Sequence, residues 1–464
     1  MKSIRENCGV FALYSTEPAA HEIYQGIDFL QHRGQEYCGI ATYDGRIHQV
    51  THHGKVLNSF TDRDLRNLPG QWGIGHVSLR ERQPVKWQSL MGDIAVAFSG
   101  NLLNAEALMQ EMMAQGRAFW RGYNIELISM LILQERDPVA GLTALAGKVR
   151  GAYSLVALNQ EGVYVARDVY GFRPLILGRG PGKFAVSSES RALQNLELEP
   201  VRDVKPGEIV LLDRRGFTTL KQLESPRRAH CAFEWAYTAS IDSVIDGLPV
   251  LAARNHLGAC LAQRDAREGG PAADLVAAVP MSGIGHALGY HAHSGLVYQE
   301  VFLYNRYADR SYTQATQVAR EQMAKRKLSV LHHAVRDKSI VLCDDSIVRG
   351  TQILNKVRDL KAAGARAVHV RVACPPLMYP CDFGISTRTY EELMARRYCF
   401  QGDITNMTQL RDLEAWVAAR IGADSVRYNS LEAFVEALGL PREHLCLKCW
   451  DGRRPWPVSA AGAF

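Results

Sequence analysis

Two adjacent carboxylates, Asp344 and Asp345, are followed in one short stretch by Ser346, Val348, Arg349, Gly350 and Thr351. An Asp-Asp pair alone is a common acidic start to a helix. The hydroxyls, arginine and glycine that follow it give the turn a fuller set of donors. The apolar run 339–343 precedes the pair, and Ile353, Leu354, Val357 and Leu360 recur after it at helical spacing. The segment therefore reads as strand, loop and helix, with the loop at the helix N-terminus. Free N–H groups and the positive end of the helix dipole gather there and suit a phosphate. Carboxylates suit a divalent cation or sugar hydroxyls. A phosphorylated sugar with Mg2+ is the ligand this chemistry predicts. The glycine and lysine spacings of a Walker loop and of a dinucleotide fingerprint are both absent.

The cysteines form a second set. Cys8 precedes Gly9 at the start of an apolar run. Most such cysteines are inert. One freed at a chain terminus would have its own α-amino group, with a pKa near ~8, as a general base. Cys446 and Cys449 form a CxxC pair, and Cys231 and Cys381 sit in short loop-like contexts. Four thiolates bind zinc or a [4Fe–4S] cluster, and spacing does not choose between them. Cys38, Cys260, Cys343, Cys374 and Cys399 lie in apolar or helical contexts and read as core. His32-Arg33-Gly34-Gln35-Glu36 reads as the polar end of a helix, and His76 as a satisfied buried histidine.

The elements that must position these groups have two textures. Residues 1–230 are rich in short β-type runs at 9–14, 39–43, 94–98, 154–158 and 162–166. Helical patterns fall between them at about 20–32, 103–115 and 124–135. This predicts layered α+β structure with mainly antiparallel strands. From about residue 247 helices (248–266, 284–294, 351–363) alternate with strands (274–279, 297–303, 339–343, 366–373), which predicts a parallel sheet. Asp344 would then stand at the carboxyl end of a strand, where such sheets bind ligands. The polar stretch 304–329 reads as a lid or a disordered loop.

Composition narrows the class. The chain has 464 residues, 47% hydrophobic and 22% charged, enough for two or three globular domains. A net charge of +6 without a basic run suits anionic metabolites and gives no nucleic-acid footprint. The sequence shows no apolar run of membrane-helix length and no signal peptide, so a cytoplasmic protein is expected. Ten cysteines in a reducing compartment point to thiols or metal ligands, not to disulfides.

Taken in order, Cys8-Gly9-Val10-Phe11, Leu30 to Glu36, Gly75-His76, Gly100-Asn101-Leu102, Gly171 to Leu175, Ser188-Glu189, Pro206-Gly207-Glu208, Asn305-Arg306-Tyr307, Lys327-Leu328 and Asp344 to Thr351 resemble the glutamine phosphoribosylpyrophosphate amidotransferase family over about residues 8–455. The resemblance implies a leader (1–7), a four-layer αββα N-terminal-nucleophile hydrolase sandwich acting as glutaminase (8–230), and a type I phosphoribosyltransferase domain (231–464) ending in a cluster-binding segment. It implies that Cys8 is the nucleophile after loss of Met1–Asn7. On the same mapping Asp344 and Asp345 contact ribose hydroxyls and Mg2+, with Ser282 near the metal, and Ser346 to Thr351 cradle the 5′-phosphate. Arg306, Arg310 and Lys327 would neutralise leaving pyrophosphate under the 304–329 lid. Cys231, Cys381, Cys446 and Cys449 match the branch with a [4Fe–4S] cluster. The implied activity is formation of 5-phosphoribosylamine, the first step of purine synthesis. A homotetramer inhibited by purine nucleotides is implied as well.

The departures from the family pattern cluster in the glutamine site, which would hold Arg33, Ser78, Ser99, Gly100 and Asn124. Ser78 stands where the family has the arginine that grips the glutamine carboxylate. Ser99 replaces the oxyanion asparagine, and Asn124 replaces the aspartate that binds the amino group. Arg80, two positions along a strand from Ser78, would be displaced by roughly 6–7 Å. Met281 replaces an acidic residue and Tyr304 a lysine on the transferase side. Two further readings therefore stand beside the first: a transferase with an inactive glutaminase that uses ammonia or another nucleophile, and a non-catalytic phosphoribosyl pyrophosphate-binding regulator.

Overall fold

The computed structural model describes residues 8–305, 328–385, 387, 389–399, 404 and 406–456. Two antiparallel sheets occupy the first half of the chain. One has seven strands in the order Glu199–Asp203, Ile176–Gly180, Lys183–Ser187, Cys8–Ser15, Trp72–Ser78, Tyr37–Tyr43, Ile47–His53. The other has six, in the order Gly216–Gln222, Glu208–Asp213, Gly162–Arg167, Gly151–Asn159, Gly92–Leu102, Val85–Ser89. Their inner faces meet through Val10, Ala12, Ala97, Val156, Val165 and Val210. Helix Ala20–Phe29 packs on the outside of the first sheet with Ile23 and Ile27 against Phe11 and Val77. Helices Ala105–Ala114, Asn124–Leu133 and Pro138–Lys148 cover the outside of the second through Met109, Ile128 and Leu142. Four layers result, α-β-β-α. Central strands covered on both faces lose the polar alternation of a one-sided sheet, which is why Cys8–Ser15 and Gly151–Asn159 read as continuous apolar runs.

The second half builds a five-stranded parallel sheet in the order Val297–Tyr298, Leu275–Ala278, Ser339–Asp344, Ala367–Val372, Ser425–Tyr428. The predicted strand 297–303 is two pieces. Val297–Tyr298 joins the parallel sheet, whereas Phe302–Tyr304 pairs antiparallel with Leu328–Val330. Exposed, polar Gln299 and Glu300 separate them. The strand Ser425–Tyr428 and the helices Met407–Ile421 and Leu431–Leu438 were not foreseen. That strand is short and carries Arg427, which pairs with Asp265, so it lacks a hydrophobic signature. Met1–Asn7 and the predicted lid residues 306–327, with Arg306, Arg310 and Lys327, lie outside the described residues. No described helix is long and apolar enough to cross a membrane.

Helices Val250–Glu268 and Ile284–Ser294 cross at glycines. A Cβ on Gly258 would lie 1.9 Å from the His286 carbonyl oxygen, and one on Gly289 would lie 1.9 Å from that of Asn255. Both contacts are with backbone, so neither helix yields without moving. Gly258→Ala is expected to destabilise the protein by roughly 1–3 kcal/mol through overpacking. Denaturant unfolding checks this; an unchanged midpoint would contradict the crossing.

Candidate active site

The strand Ser339–Asp344 delivers both carboxylates to the carboxyl edge of the parallel sheet, and both are buried. Backbone bonds fix them there: the Ala373 N–H donates to the Asp344 carbonyl (3.0 Å) and the Cys374 N–H to that of Asp345 (2.8 Å). Ser282 donates its hydroxyl to Asp344 Oδ1 at 2.7 Å, and the Asp345 N–H donates to the same oxygen at 3.0 Å. The Ser346 hydroxyl donates to Asp345 Oδ2 at 2.5 Å. Burial, and then the neighbouring charge of Asp344, push the Asp345 carboxyl well above the usual carboxylate range. Beside them Gly283 lies so close to the strand that a Cβ would fall 2.1 Å from the Cys343 carbonyl oxygen. Met281 holds φ 70° with its side chain exposed, a strained conformation for a long side chain adjoining the site.

Gly350 closes the loop at φ 81°, and helix Thr351–Ala362 starts immediately after it. A Cβ on Gly350 would meet Met394 Sδ at 2.4 Å. Met394 also donates its N–H to the Val348 carbonyl at 2.7 Å. Arg349 is mostly exposed and pairs with Glu392 at 2.6 Å. The structure thus gathers Ser282, Asp344, Asp345, Ser346, Val348, Arg349, Gly350 and Thr351 around one loop. The support from Gly283 and Met394 was missed, since neither residue carries chemistry that a sequence displays.

Cys8 opens the central strand of the seven-stranded sheet, buried and in register with Ser78. Its carbonyl accepts from Arg33 Nε at 3.1 Å and from the Ser99 hydroxyl at 2.7 Å. Arg33 is no exposed helix end. It is buried between Glu189 (2.5 Å) and Glu234 (2.8 Å). Burial alone would raise the Glu189 carboxyl, but the charges of His32 and Arg33 outweigh it and hold that group well below the usual range. Gly34 packs on the strand end so tightly that a Cβ would sit 2.4 Å from the Ser78 Cα. Gly100 adopts φ 150° beside Ser99. Asn124 is the first residue of its helix, and its Nδ2 donates to Asn101 Oδ1 at 3.4 Å.

Glu81 was not anticipated, because nothing local in Leu79-Arg80-Glu81-Arg82 marks a buried carboxylate. It is fully buried. Its carboxylate accepts from the N–H groups of Asn124 (3.0 Å) and Ile125 (3.3 Å) and from Gln83 Nε2 (3.2 Å). Its carbonyl accepts the Ser78 hydroxyl at 2.6 Å. The strand ends at Ser78, so Arg80 lies in a bend and the strand-pitch displacement does not apply to it.

Cys231 and Cys446 stand side by side on the short parallel strands His230–Cys231 and Leu445–Cys446. Cys231 is thus in a strand, where a loop was expected. Cys449 follows in the turn Lys448–Asp451. Cys381 Sγ accepts from the N–H groups of Phe383 (3.2 Å) and Ile385 (3.4 Å). A hydrogen bond with Cys449, then those N–H groups, bring the Cys381 thiol down to about 6. All four are buried in one core. Among the described residues no three or more His, Cys, Asp or Glu side chains form a ready metal-holding group. Cys38, Cys343 and Cys374 are buried as expected, whereas Cys260 and Cys399 are only half-buried.

A sandwich of two antiparallel sheets joined to a parallel sheet with an Asp-Asp loop defines a glutamine amidotransferase fold coupled to a phosphoribosyltransferase. The glutamine amidotransferase domain family matches residues 74–195. The amidophosphoribosyltransferase of Methanocaldococcus jannaschii is 36% identical over 97% of this chain and 98% of its own. That of Bacillus subtilis is 33% identical over 99% and 96%. The solved glutamine phosphoribosylpyrophosphate amidotransferase of B. subtilis, complexed with ADP and GMP, superimposes with a TM-score of 0.88 at 32% identity, over 98% of this chain and 99% of that one. The chain belongs to the amidophosphoribosyltransferase family.

His76 is buried, with its Nε2 3.0 Å from the Phe98 carbonyl oxygen, and burial pushes it down to about 3. His286, buried under the parallel sheet, is likewise pushed down to about 3 by burial and then by Arg254. Both depressed values favour the neutral folded form, so the unfolded chain takes up protons first as pH falls. Stability is expected to drop between pH 7 and pH 5 by roughly 2 kcal/mol for each histidine. Denaturant unfolding at the two pH values checks this, and equal stabilities would contradict it.

Proposed function

We propose that this chain, an amidophosphoribosyltransferase that forms 5-phosphoribosylamine in the first step of purine synthesis, takes its nitrogen from ammonia in preference to glutamine. The observation that carries the transferase half is the pair of adjacent buried carboxylates at the strand end, followed by the Ser346–Thr351 turn. Asp344 and Asp345 when both ionised repel each other, and a divalent cation relieves that repulsion, so the donor set fits Mg2+ with ribose. Asp344, Asp345 and Ser282 would hold the ion, which would supply charge for the leaving pyrophosphate. The Ser346–Thr351 backbone and the start of helix Thr351–Ala362 bind the 5′-phosphate. The C1–O bond breaks with its electrons leaving on pyrophosphate. Ammonia's lone pair forms the C1–N bond, and a proton passes to solvent. Arg306, Arg310 and Lys327 complete the reading as the charges facing pyrophosphate.

The nitrogen preference rests on the cysteine site. Ser78 and Asn124 cannot supply the charges that grip a zwitterionic amino acid. The Ser99 hydroxyl is committed to the Cys8 carbonyl. Loss of one oxyanion donor costs ~10²–10³ in rate. On this reading residues 8–230 remain a glutaminase-like domain, with 1–7 as its leader and 231–464 as the transferase domain. A cytoplasmic homotetramer regulated by purine nucleotides completes the proposal; the solved relative bound to ADP and GMP supports the regulatory part.

The four buried cysteines with N–H groups on Cys381 Sγ suit a [4Fe–4S] cluster, held by Cys231, Cys381, Cys446 and Cys449. Such a cluster supplies a covalent tie between the 230, 381 and 446–449 segments. Anaerobically purified protein is expected to show broad visible absorbance with bound iron and sulfide; zinc in a colourless protein would overturn the assignment.

Pyrophosphate release tests the function. The rate with ammonium chloride is expected to exceed that with glutamine by ~10²-fold or more. Asp345→Asn is expected to remove transfer with either nitrogen source while Tm stays near that of the wild type. Equal rates with the two nitrogen sources, or full transfer by Asp345→Asn, would sink the corresponding half.

A further inference from the structure

We propose that Arg254 is a positioning residue of the transferase site and acts through the turn that carries Ser282. The inference rests on the reading of Ser282 as the partner of Asp344 at the cation. Arg254 lies on helix Val250–Glu268 and is buried. Its guanidinium is bonded to main-chain carbonyls. Nε donates to Trp235 at 3.0 Å, and Nη2 donates to Tyr237 at 2.9 Å and to Ala239 at 2.7 Å. Burial pulls this guanidinium below its usual range, with Asp345 and Glu189 acting in the opposite direction. A charged fork placed in a dry interior at that cost, on three carbonyls of one turn, has its side chain fixed in direction from both ends.

The fixed stem is what the Ser282 turn rests on. Helix Ile284–Ser294 begins directly after Ser282 and Gly283. A Cβ on Gly285 would fall 2.8 Å from Arg254 Cβ and 3.3 Å from Arg254 Cδ, so the stem fills the space under that first turn. His286, the next residue, is buried with Nδ1 3.2 Å from the Arg254 carbonyl oxygen and Nε2 3.2 Å from that of Ala236. The opposite side of the turn is closed by the strand that carries Asp344. There the Val279 N–H donates to the Cys343 carbonyl at 2.9 Å, and a Cβ on Gly283 would lie 2.1 Å from that same oxygen. The turn is thus held between backbone on one side and the Arg254 stem on the other. Releasing the stem lets it relax in one direction only, towards helix Val250–Glu268 and away from Asp344. The Ser282 hydroxyl, now 2.7 Å from Asp344 Oδ1, would leave hydrogen-bonding range within a shift of about 1 Å. A misplacement of that size costs up to ~10²-fold in rate.

A double-mutant cycle in the full-length protein tests this. Two quantities are read: the Kd for phosphoribosyl pyrophosphate with Mg2+, by calorimetry without a nitrogen source, and kcat/KM for ammonia-dependent pyrophosphate release. Ser282→Ala and Arg254→Met are each expected to weaken both by about tenfold or more. The double variant is expected to stay within about twofold of the weaker single variant, because Arg254 acts through Ser282. Arg254→Lys returns a donor to the carbonyls and is expected to recover at least ~threefold of the loss. Losses that multiply in the double variant, wild-type values in Arg254→Met, or no recovery in Arg254→Lys would overturn the proposal. Ser282→Ala with wild-type values would instead overturn the reading of Ser282, before the cycle is built. If Arg254→Met does not fold, Gly285→Ala takes its place, since its methyl group presses on the same stem from the other side. A loss in Gly285→Ala that merges with that of Ser282→Ala supports the proposal; no loss, or losses that multiply, overturns it.

Discussion

A group of buried ion pairs ties the first half of this molecule to the second, with Arg33 at its centre and Arg173 and Arg167 beside it. Arg33 lies buried with Glu189 on one side and Glu234 on the other, and its Nε reaches the Cys8 carbonyl. Glu189 follows the strand that pairs with Cys8–Ser15, whereas Glu234 begins a π-helical turn, Glu234–Thr238, leading into the α/β half. Arg173 donates to the same Glu234 at 2.6 Å. Removing one member of such a group strands the others as uncompensated charge, at roughly 3–5 kcal/mol. The π-turn is passed on in turn: Arg254 donates to the carbonyls of Trp235, Tyr237 and Ala239, and the charge of Arg254 is felt at Asp345. Buried polar contacts thus run from Cys8 to Arg254, whose charge acts on Asp345 without a direct bond.

The two sites are both held by close backbone packing. Around Asp344 and Asp345 every element serves the loop: Gly283 and Gly350 permit approaches that no side chain would allow, and Met281 keeps a strained backbone beside Ser282. Around Cys8 the framework is equally tight, with Gly34 against Ser78 and Gly100 beside Ser99. The framework of an amidotransferase is therefore retained, and the proposed preference for ammonia rests on Ser78, Ser99 and Asn124 within it. Glu81 ties this framework together, its carbonyl accepting from Ser78 and its carboxylate from the start of the Asn124 helix.

Much of this was readable in the residue order. The carboxylate pair and its turn lie within one strand-loop-helix unit, so local periodicity located them. The layered first half was readable from its short apolar runs. What failed depended on distant partners. Arg33 looked like a solvated helix end, because Glu189 and Glu234 are far away in the chain. Glu81 went unnoticed, because its partners at Asn124 and Ile125 come from a helix distant in the chain. The strand Ser425–Tyr428 escaped notice because its arginine is neutralised by Asp265 from another helix. The break within 297–303 was visible in Gln299-Glu300 but was outweighed by the apolar residues around them.

The sharpest test of the proposed preference for ammonia over glutamine is an isotope competition. Full-length protein is given phosphoribosyl pyrophosphate, Mg2+ and equal concentrations of amide-15N glutamine and 14N ammonium, and the nitrogen mass of the phosphoribosylamine is measured. Product carrying almost wholly 14N is predicted. Product carrying chiefly 15N would show that Cys8 releases ammonia from glutamine despite Ser78, Ser99 and Asn124, and would contradict the preference for ammonia.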